Sequence, residues 1–323
     1  MTNKNFQYHL AKRIIALTML VLIATALSAM AAAHWFAELF SHFTPYYAVF
    51  ALFCVLGLAL LRSWRWTAVA IALVLWNGTP LVRALLPKDA PTTIVTTRQF
   101  TVFHFNVGLH HEFPQRIMSY LARHAREIDV AVLLEAGNQF DVALDEIKGL
   151  FPHQIQHLEN SPFGIALLSK HVIDFGTVAL QPSHLYPHIE ATIKLPGRGK
   201  PLALYAMHAP PPISGDMAEA RNAKLMVIAN KAATQEKATP VVVGDFNLTP
   251  WSPYFLRFIA KSGLRDARTP HRFDHTWPVI FGNATLGIAI DHSFAHPTLP
   301  LIKRTVGPDL GSDHLPVTVT LGY

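Results

Sequence analysis

Residues 241–250, VVVGDFNLTP, and residues 311–316, GSDHLP, are the stretches on which the fold of this chain turns. Val241, Val242 and Val243 form a β-branched run of the kind that makes a buried strand. Gly244 ends the run and permits a sharp exit, so Asp245 and Asn247 fall on the loop beyond it, one on either side of Phe246. Both polar heads then reach one small site. The second stretch leads into the alternation Val317-Thr318-Val319-Thr320, a half-buried strand with Asp313 and His314 just before it. A carboxylate, an amide and an imidazole at strand ends are the groups needed to activate water beside a bound anion. Singly, each motif also reads as a turn, since Gly, Asp and Asn favour turns without any chemistry. Their company in the chain decides.

Four further polar residues stand at the ends of apolar runs. Asn106 closes residues 101–105, and Glu135 closes Val130–Leu134, where a carboxylate is costly unless it emerges to meet a cation. His208 closes residues 202–207 and is followed by Ala209 and three prolines, a rigid exit. Asp291 lies inside the run 288–294, where a lone carboxylate wants a partner. Each has a bland reading beside the chemical one: a turn cap for Asn106, a helix cap for Glu135, a hydrogen-bonded core histidine for His208, an edge residue for Asp291. His110, His111 and Glu112, just after Asn106, read as an exposed loop.

Between these points the pattern predicts strands at 100–107, 129–135, 164–169, 172–180, 189–195, 202–208, 240–244, near 273–277, at 286–294 and at 314–321. Helices are expected near 113–126, 138–149, 215–234 and 252–262, the third with Met217, Leu225, Ile228 and Ala232 inward. Helices interleaved with many strands, several joined as hairpins, imply two packed sheets covered by helices. Residues 87–99, with two prolines and a Thr-rich tail, read as an extended linker between an N-terminal region (1–86) and a globular domain (100–323).

The chain has 323 residues, 51% of them hydrophobic and 15% charged, with a formal charge of +6. That charge invites a nucleic-acid reading, but its position argues otherwise. Seven of the 27 Lys/Arg and one of the 21 Asp/Glu fall in residues 1–88, which leaves twenty of each for the remainder. The globular part is formally neutral, and the excess belongs to the N-terminal region. Cys54 is the only cysteine, so neither a disulfide nor a thiolate metal site is possible within the chain.

Residues 14–33 are twenty without a charge, about 30 Å as a helix and so the thickness of a bilayer core. Residues 45–61 and 67–82 are shorter apolar runs. Tyr46, Tyr47, Trp64 and Trp66 suit their interfaces, and Arg83 is placed to snorkel outward. Three membrane spans are expected, with a pair of buried helices as the alternative for the short runs. Lys4, Lys12 and Arg13 precede the first span, residues 34–44 carry no Lys or Arg, and Arg62 and Arg65 fill the next turn. This positive-inside pattern places the N-terminus in the cytoplasm of a multi-pass inner or cell membrane, with the globular domain periplasmic or otherwise extracytoplasmic. A first span cleaved as a signal peptide near Ala29 leads to the same side. His34, Glu38 and His42 share one helix face, more commonly an interfacial polar stripe than a metal site.

The ordered series Phe105-Asn106-Val107, Leu133-Leu134-Glu135, Met207-His208-Ala209-Pro210, Gly244-Asp245-Phe246-Asn247, Ile290-Asp291-His292 and Ser312-Asp313-His314 resembles the endonuclease/exonuclease/phosphatase superfamily over residues 100–321. With the upstream spans it looks like the membrane-anchored bacterial members. The resemblance implies an α+β fold, a four-layer α/β/β/α sandwich of two packed mixed sheets. It also implies a metal-dependent phosphoesterase, with Asn106 and Glu135 holding Mg²⁺ (Mn²⁺ as the alternative) and Asp313 adding a carboxylate nearby. His314 would be the general base, with Asp291 orienting it. Asp245 would position the attacking water, Asn247 would donate to the phosphoryl oxygens, and His208 would contact the phosphate or protonate the leaving oxygen. One departure stands out. Nucleases of the family give the equivalent of His208 a carboxylate partner on a neighbouring strand, yet residues 161–169 contain no acid and Glu159 is the closest in sequence.

The implied substrate is a phosphoester: a lipid headgroup, a nucleic acid or a small molecule. An extracytoplasmic DNA nuclease is the alternative enzyme, though a neutral domain argues against the phosphate contacts that duplex binding needs. The run Arg257, Lys261, Arg265, Arg268 and Arg272 reads as a solvated helix face rather than a DNA patch. A non-catalytic phosphate-binding module is the alternative of another class, and it predicts missing catalytic groups. None is missing.

Overall fold

The computed structural model describes residues 3–85, 98–109, 111–180, 186–268 and 274–323. It divides into two units, one formed by Met1–Lys88 with Pro250–Tyr254 and the other by Asp89–Thr249 with Phe255–Tyr323.

The first unit is helical: α1 (Asn3–Ala29), α2 (Trp35–Ser41), α3 (Thr44–Leu60) and α4 (Trp64–Leu85). Asn5–Ala29 and Trp64–Ala84 are long and apolar enough to cross a membrane. The expected middle span behaves differently. Helix α3 has 17 residues, short for a bilayer core, and reaches spanning length only together with α2, from which it is bent by 59°. Small residues let the helices approach: Ala51 packs with Val21 and Leu73, and Ala70 with Cys54 and Leu58. Asn77, buried among them, donates to Thr25 Oγ1 and to the Leu73 carbonyl, both at 2.9 Å. The polar stripe has local partners. His34 caps α2 by accepting the Phe36 N–H at 3.2 Å, and Glu38 accepts from Ser252 Oγ at 2.6 Å.

The second unit begins with β1 (Gln99–Asn106), α5 (Pro114–Arg123), β2 (Val130–Leu134), α6 (Asp141–Glu146), β3 (His153–His157) and β4 (Ile165–Ser169). It continues through β5 (Ile173–Ala179), β6 (His188–Ile193), β7 (Leu202–His208), α7 (Gly215–Ala233), β8 (Thr239–Asp245) and α8 (Pro253–Ser262), then β9 (Arg265–Asp266), β10 (Asp291–Ala295), β11 (Leu301–Val306) and β12 (Val317–Gly322). One sheet has the strand order β11-β12-β1-β2-β4-β3, the other β5-β6-β7-β8-β10-β9. Both are mixed: β1 runs parallel to β2, and β7 to β8, while the remaining pairs are antiparallel.

Period-two alternation sorts the side chains into layers. Phe100 and Val102 of β1 join Val132, Leu167, Leu204 and Val243 in the core between the sheets. Phe103 and Phe105 point the other way, onto Ile117 and Leu121 of α5 and Leu144 of α6. On the outer face of the second sheet, Phe246 and Phe294 pack against Phe255 and Phe258 of α8 with ring centroids 4.8–5.4 Å apart. Helix α7 starts at Ser214, whose hydroxyl accepts the Met217 N–H at 3.2 Å, and it buries Leu225, Ile228 and Ala232 as expected. The architecture is the expected α+β sandwich of two packed mixed sheets.

Several element expectations change. Strands β3, β11 and the two-residue β9 lie outside the predicted set. Helix 138–149 is a 3₁₀ turn at Asn138–Phe140 followed by the shorter α6. No strand covers 274–277, where Trp277 makes only an isolated bridge to Ile288, and the expected strand at 286 begins at Asp291. The loop at 286–290 holds a Gly287 tight against the Trp277 carbonyl, which keeps it out of a regular ladder. The expected linker falls mostly on 86–97, outside the described residues, and Gln99 already belongs to β1. His110 and Arg272 also lie outside the described residues.

Candidate active site

Strand register assembles half of the site. In the β7–β8 pair His208 lies opposite Asp245, and in the β8–β10 pair Asp245 lies opposite Asp291, so three candidate site residues stand abreast on adjacent strands. Gly244 makes the β8 exit possible. Its φ is +141°, and a Cβ there would sit 1.9 Å from the Met207 carbonyl oxygen, so only glycine fits. Asn247 follows in the left-handed region, φ +49°, held by its N–H to Asp245 Oδ1 (2.8 Å) and its Nδ2 to the Ala209 carbonyl (2.8 Å).

The facing sheet supplies the other half. Asn106 ends β1 beside the end of β2, and Glu135 follows β2 with φ +58°. Glu135 Oε2 accepts the Leu109 N–H at 2.8 Å, and its Oε1 accepts from Asn106 Nδ2 at 2.9 Å. The same Asn106 amide donates to Asp245 Oδ2 at 3.1 Å, which ties the two sheets together at this edge. Ser312 Oγ donates to the Asn106 carbonyl at 2.8 Å and accepts the His314 N–H at 3.1 Å, so the loop before β12 is anchored on β1.

His314 Nδ1 donates to Asp291 Oδ2 at 2.9 Å, and its Nε2 stands 3.8 Å from Asp245 Oδ2. Burial lowers the proton affinity of His314, but the charge and hydrogen bond of Asp291 and the charges of Asp245 and Asp313 outweigh it and push the pKa up to about 10. Burial and the neighbouring Asp291 charge push Asp245 up to about 6. Burial also raises Asp291, but the His314 charge and hydrogen bond win and hold it below the ordinary carboxylate range.

His208 has the partner that the sequence could not supply. Its Nδ1 donates to the Pro162 backbone carbonyl at 2.7 Å, and the Phe163 ring packs 5.4 Å from the imidazole, centroid to centroid. Glu159 is engaged elsewhere, accepting from Ser161 Oγ at 2.8 Å. With Nδ1–H committed, Nε2 carries the lone pair in the neutral ring and faces Asn247 Nδ2 at 3.4 Å and Asp245 Oδ2 at 3.6 Å.

Asp313 is exposed at the rim and accepts from Trp277 Nε1 at 3.0 Å. All eight residues singled out in the sequence thus lie along one edge of the sandwich. Others in contact with them were not anticipated. Arg221, fully buried on α7, donates to the Asn247 carbonyl at 3.2 Å, and Arg304 of β11 donates to the Asp291 carbonyl at 3.2 Å. A cation four residues before Leu225 on the inward face of an apolar helix was the available signal for Arg221. His111 corrects the exposed-loop reading: it is buried, between the Gly311 and Phe113 carbonyls at 3.2 Å each.

Two groupings offer ligands for a cation. Asp245, Asp291 and His314 each bring one ligating atom within 4.8 Å of the others. In that set Asp291 and His314 are already bonded to each other. Asn106, Glu135 and Asp245 converge instead: the Asn106 Nδ2 meets both carboxylates while its Oδ1 accepts the Gly108 N–H at 3.1 Å, and the two carboxylates are the oxygen donors that fit a hard divalent cation.

A model of the Endonuclease/Exonuclease/phosphatase family matches residues 103–314. No curated protein matches the chain. Among solved structures, a humanized TDP2 from D. rerio is similar at 18% identity and a TM-score of 0.56, over 70% of this chain and 99% of that one. The 3′ phosphatase NExo from Neisseria, bound to a product DNA hairpin, is similar at 19% and 0.55, over 69% and 100%. A mannosyl-6-phosphatase from Bacteroides thetaiotaomicron is similar at 17% and 0.54, over 69% and 100%. The chain belongs to the endonuclease/exonuclease/phosphatase family, metal-dependent hydrolases of phosphoester bonds.

Proposed function

We propose that this protein is a membrane-anchored phosphoesterase that hydrolyses a phosphodiester or phosphomonoester by water attack, with its catalytic unit on the extracytoplasmic side. The observation that carries the reading is the His208–Asp245–Asp291 row, with His314 locked to Asp291 at 2.9 Å, meeting the Asn106–Glu135 pair across one hydrogen-bonded edge. Asn106 and Glu135, with Asp245 beside them and Asp313 at the rim, would hold Mg²⁺. When bound, that ion polarises the phosphoryl oxygen, offsets charge on the leaving group and lowers the proton affinity of the nearby imidazole.

His314 Nε2 and Asp245 Oδ2 stand 3.8 Å apart, too long for a direct hydrogen bond, and both are available to an attacking water. Asp245 would orient the attacking water, and the His314–Asp291 pair would take its proton. Asn247 Nδ2, steered by the Ala209 carbonyl, lies beside the phosphoryl position as a donor. His208, with Nδ1–H held by Pro162, orients Asn247 and contacts the phosphate.

The test is an assay of the purified full chain, with Mg²⁺ or with EDTA, on bis(p-nitrophenyl) phosphate, phospholipid vesicles and supercoiled plasmid. Hydrolysis that EDTA removes and Mg²⁺ restores is expected. Plasmid nicking at low enzyme would favour the nuclease. Inactivity on every ester with Mg²⁺, Mn²⁺ and Ca²⁺ would leave a binding module.

A further inference from the structure

Beside His208 the site has an aromatic side with its own support. The Phe163 ring lies 5.4 Å from the His208 imidazole, and Tyr186 packs edge-on against Phe163 at 4.8 Å with a 76° interplanar angle. Both residues are half-buried. The backbone beneath them is fixed from two directions. Pro162 accepts the His208 Nδ1–H, and the buried ammonium of Lys224 donates to the carbonyls of Tyr186 and, at 2.8 Å, Pro187. No carboxylate pairs with Lys224 among the described residues, and burying an ammonium without one is costly. That cost is offset by anchoring two consecutive carbonyls that no strand ladder takes up.

We propose that Phe163 and Tyr186 form the specificity wall of the site, a surface that takes a ring-bearing apolar substituent of the phosphoester, with Lys224 as its positioning residue. The proposal rests on the phosphoesterase reading and deepens it. His208 Nε2 is 3.6 Å from Asp245 and the Phe163 ring lies 5.4 Å from the same imidazole, which puts an aromatic surface within reach of a phosphoester held at His208. Offset stacking on such a ring adds to simple burial, whereas a hydroxyl-rich or methyl substituent gains little there.

Phenylphosphonate and methylphosphonate share the anion and differ only in the ring, so their affinities for the full chain, measured by calorimetry with Mg²⁺, isolate the wall. Wild type is expected to prefer the phenyl compound by about tenfold, within the range of one good aromatic contact. Phe163→Leu keeps the apolar volume and should bring the ratio to about two, with methylphosphonate affinity unchanged. Lys224→Met should lower the ratio in the same way, and Lys224→Arg, which can still donate to both carbonyls, should restore it. A wild-type ratio near one, or equal loss of both ligands in Phe163→Leu, overturns the wall. Because binding is read without turnover, absent hydrolysis with an intact ratio would instead overturn the phosphoesterase reading and leave the wall standing.

Discussion

Replacing Asp291 by asparagine keeps its volume and removes the charge that holds the His314 Nδ1–H at 2.9 Å. An amide presents either a neutral oxygen or a competing N–H, so the ring loses both its fixed tautomer and its electrostatic support. We expect Asp291→Asn to lower kcat by about 10³–10⁴-fold while circular dichroism stays that of wild type. A loss under tenfold would contradict the role. At this scale much was legible. Asn106, Glu135, His208, Asp245 and Asp291 each interrupt or close an apolar run, where a polar group without a job is penalised. What was not legible depends on atoms that residue identity does not encode. The Pro162 carbonyl serves His208 as any residue's carbonyl would, and no sequence pattern marks it. The raised proton affinity of His314 likewise follows mainly from Asp291 and Asp245, which only the fold brings to it.

Helix α7 carries two buried basic side chains one turn apart, and each holds a different backbone segment beside His208. Arg221 holds the Asn247 turn, and Lys224 holds Tyr186 and Pro187. Burial lowers Lys224 from its ordinary value near 10.5 to about 7. Between those values the unfolded chain binds the proton and the folded one does not, so stability rises as pH rises from 7 toward 10.5 and this contribution is flat below 7. The slope is on the order of 1 kcal/mol per pH unit at most. In Lys224→Met the rise in Tm between pH 7 and 9 should be flattened relative to wild type in detergent. Identical slopes would contradict the burial argument. Elements with strong periodicity were readable, among them α7, β8 and β12. Strands β3, HQIQH, and β11, LIKRTV, were not, because they sit at sheet edges where half-exposed side chains carry no clean alternation.

Over the whole chain the charge is divided sharply: the excess of cations lies in residues 1–88, and the remainder balances. That division separates a membrane reading from a nucleic-acid one, and the proposed extracytoplasmic side of the second unit follows from the positive-inside pattern and is open to direct test. A cysteine at exposed Lys303 in a Cys54→Ala background should react with a membrane-impermeant maleimide in intact cells whose outer barrier is opened. Labelling only after the inner membrane is broken would reverse the orientation. The fold of the second unit was legible as a class because its strands and helices interleave in order. The bend between α2 and α3 was not, since composition reports apolarity and not direction. The central claim is that both sheets build one hydrolytic site, and Asp245, bonded to Asn106 from the facing sheet at 3.1 Å and flanked by His208 and Asp291, is where they meet. The most direct measurement is the Mg²⁺-dependent rate on bis(p-nitrophenyl) phosphate for the full wild-type chain beside Asp245→Asn, with the fold checked by circular dichroism. Turnover by wild type and a folded variant slower by at least about 10³-fold is the expected result, and a folded Asp245→Asn hydrolysing the ester at the wild-type rate would contradict it.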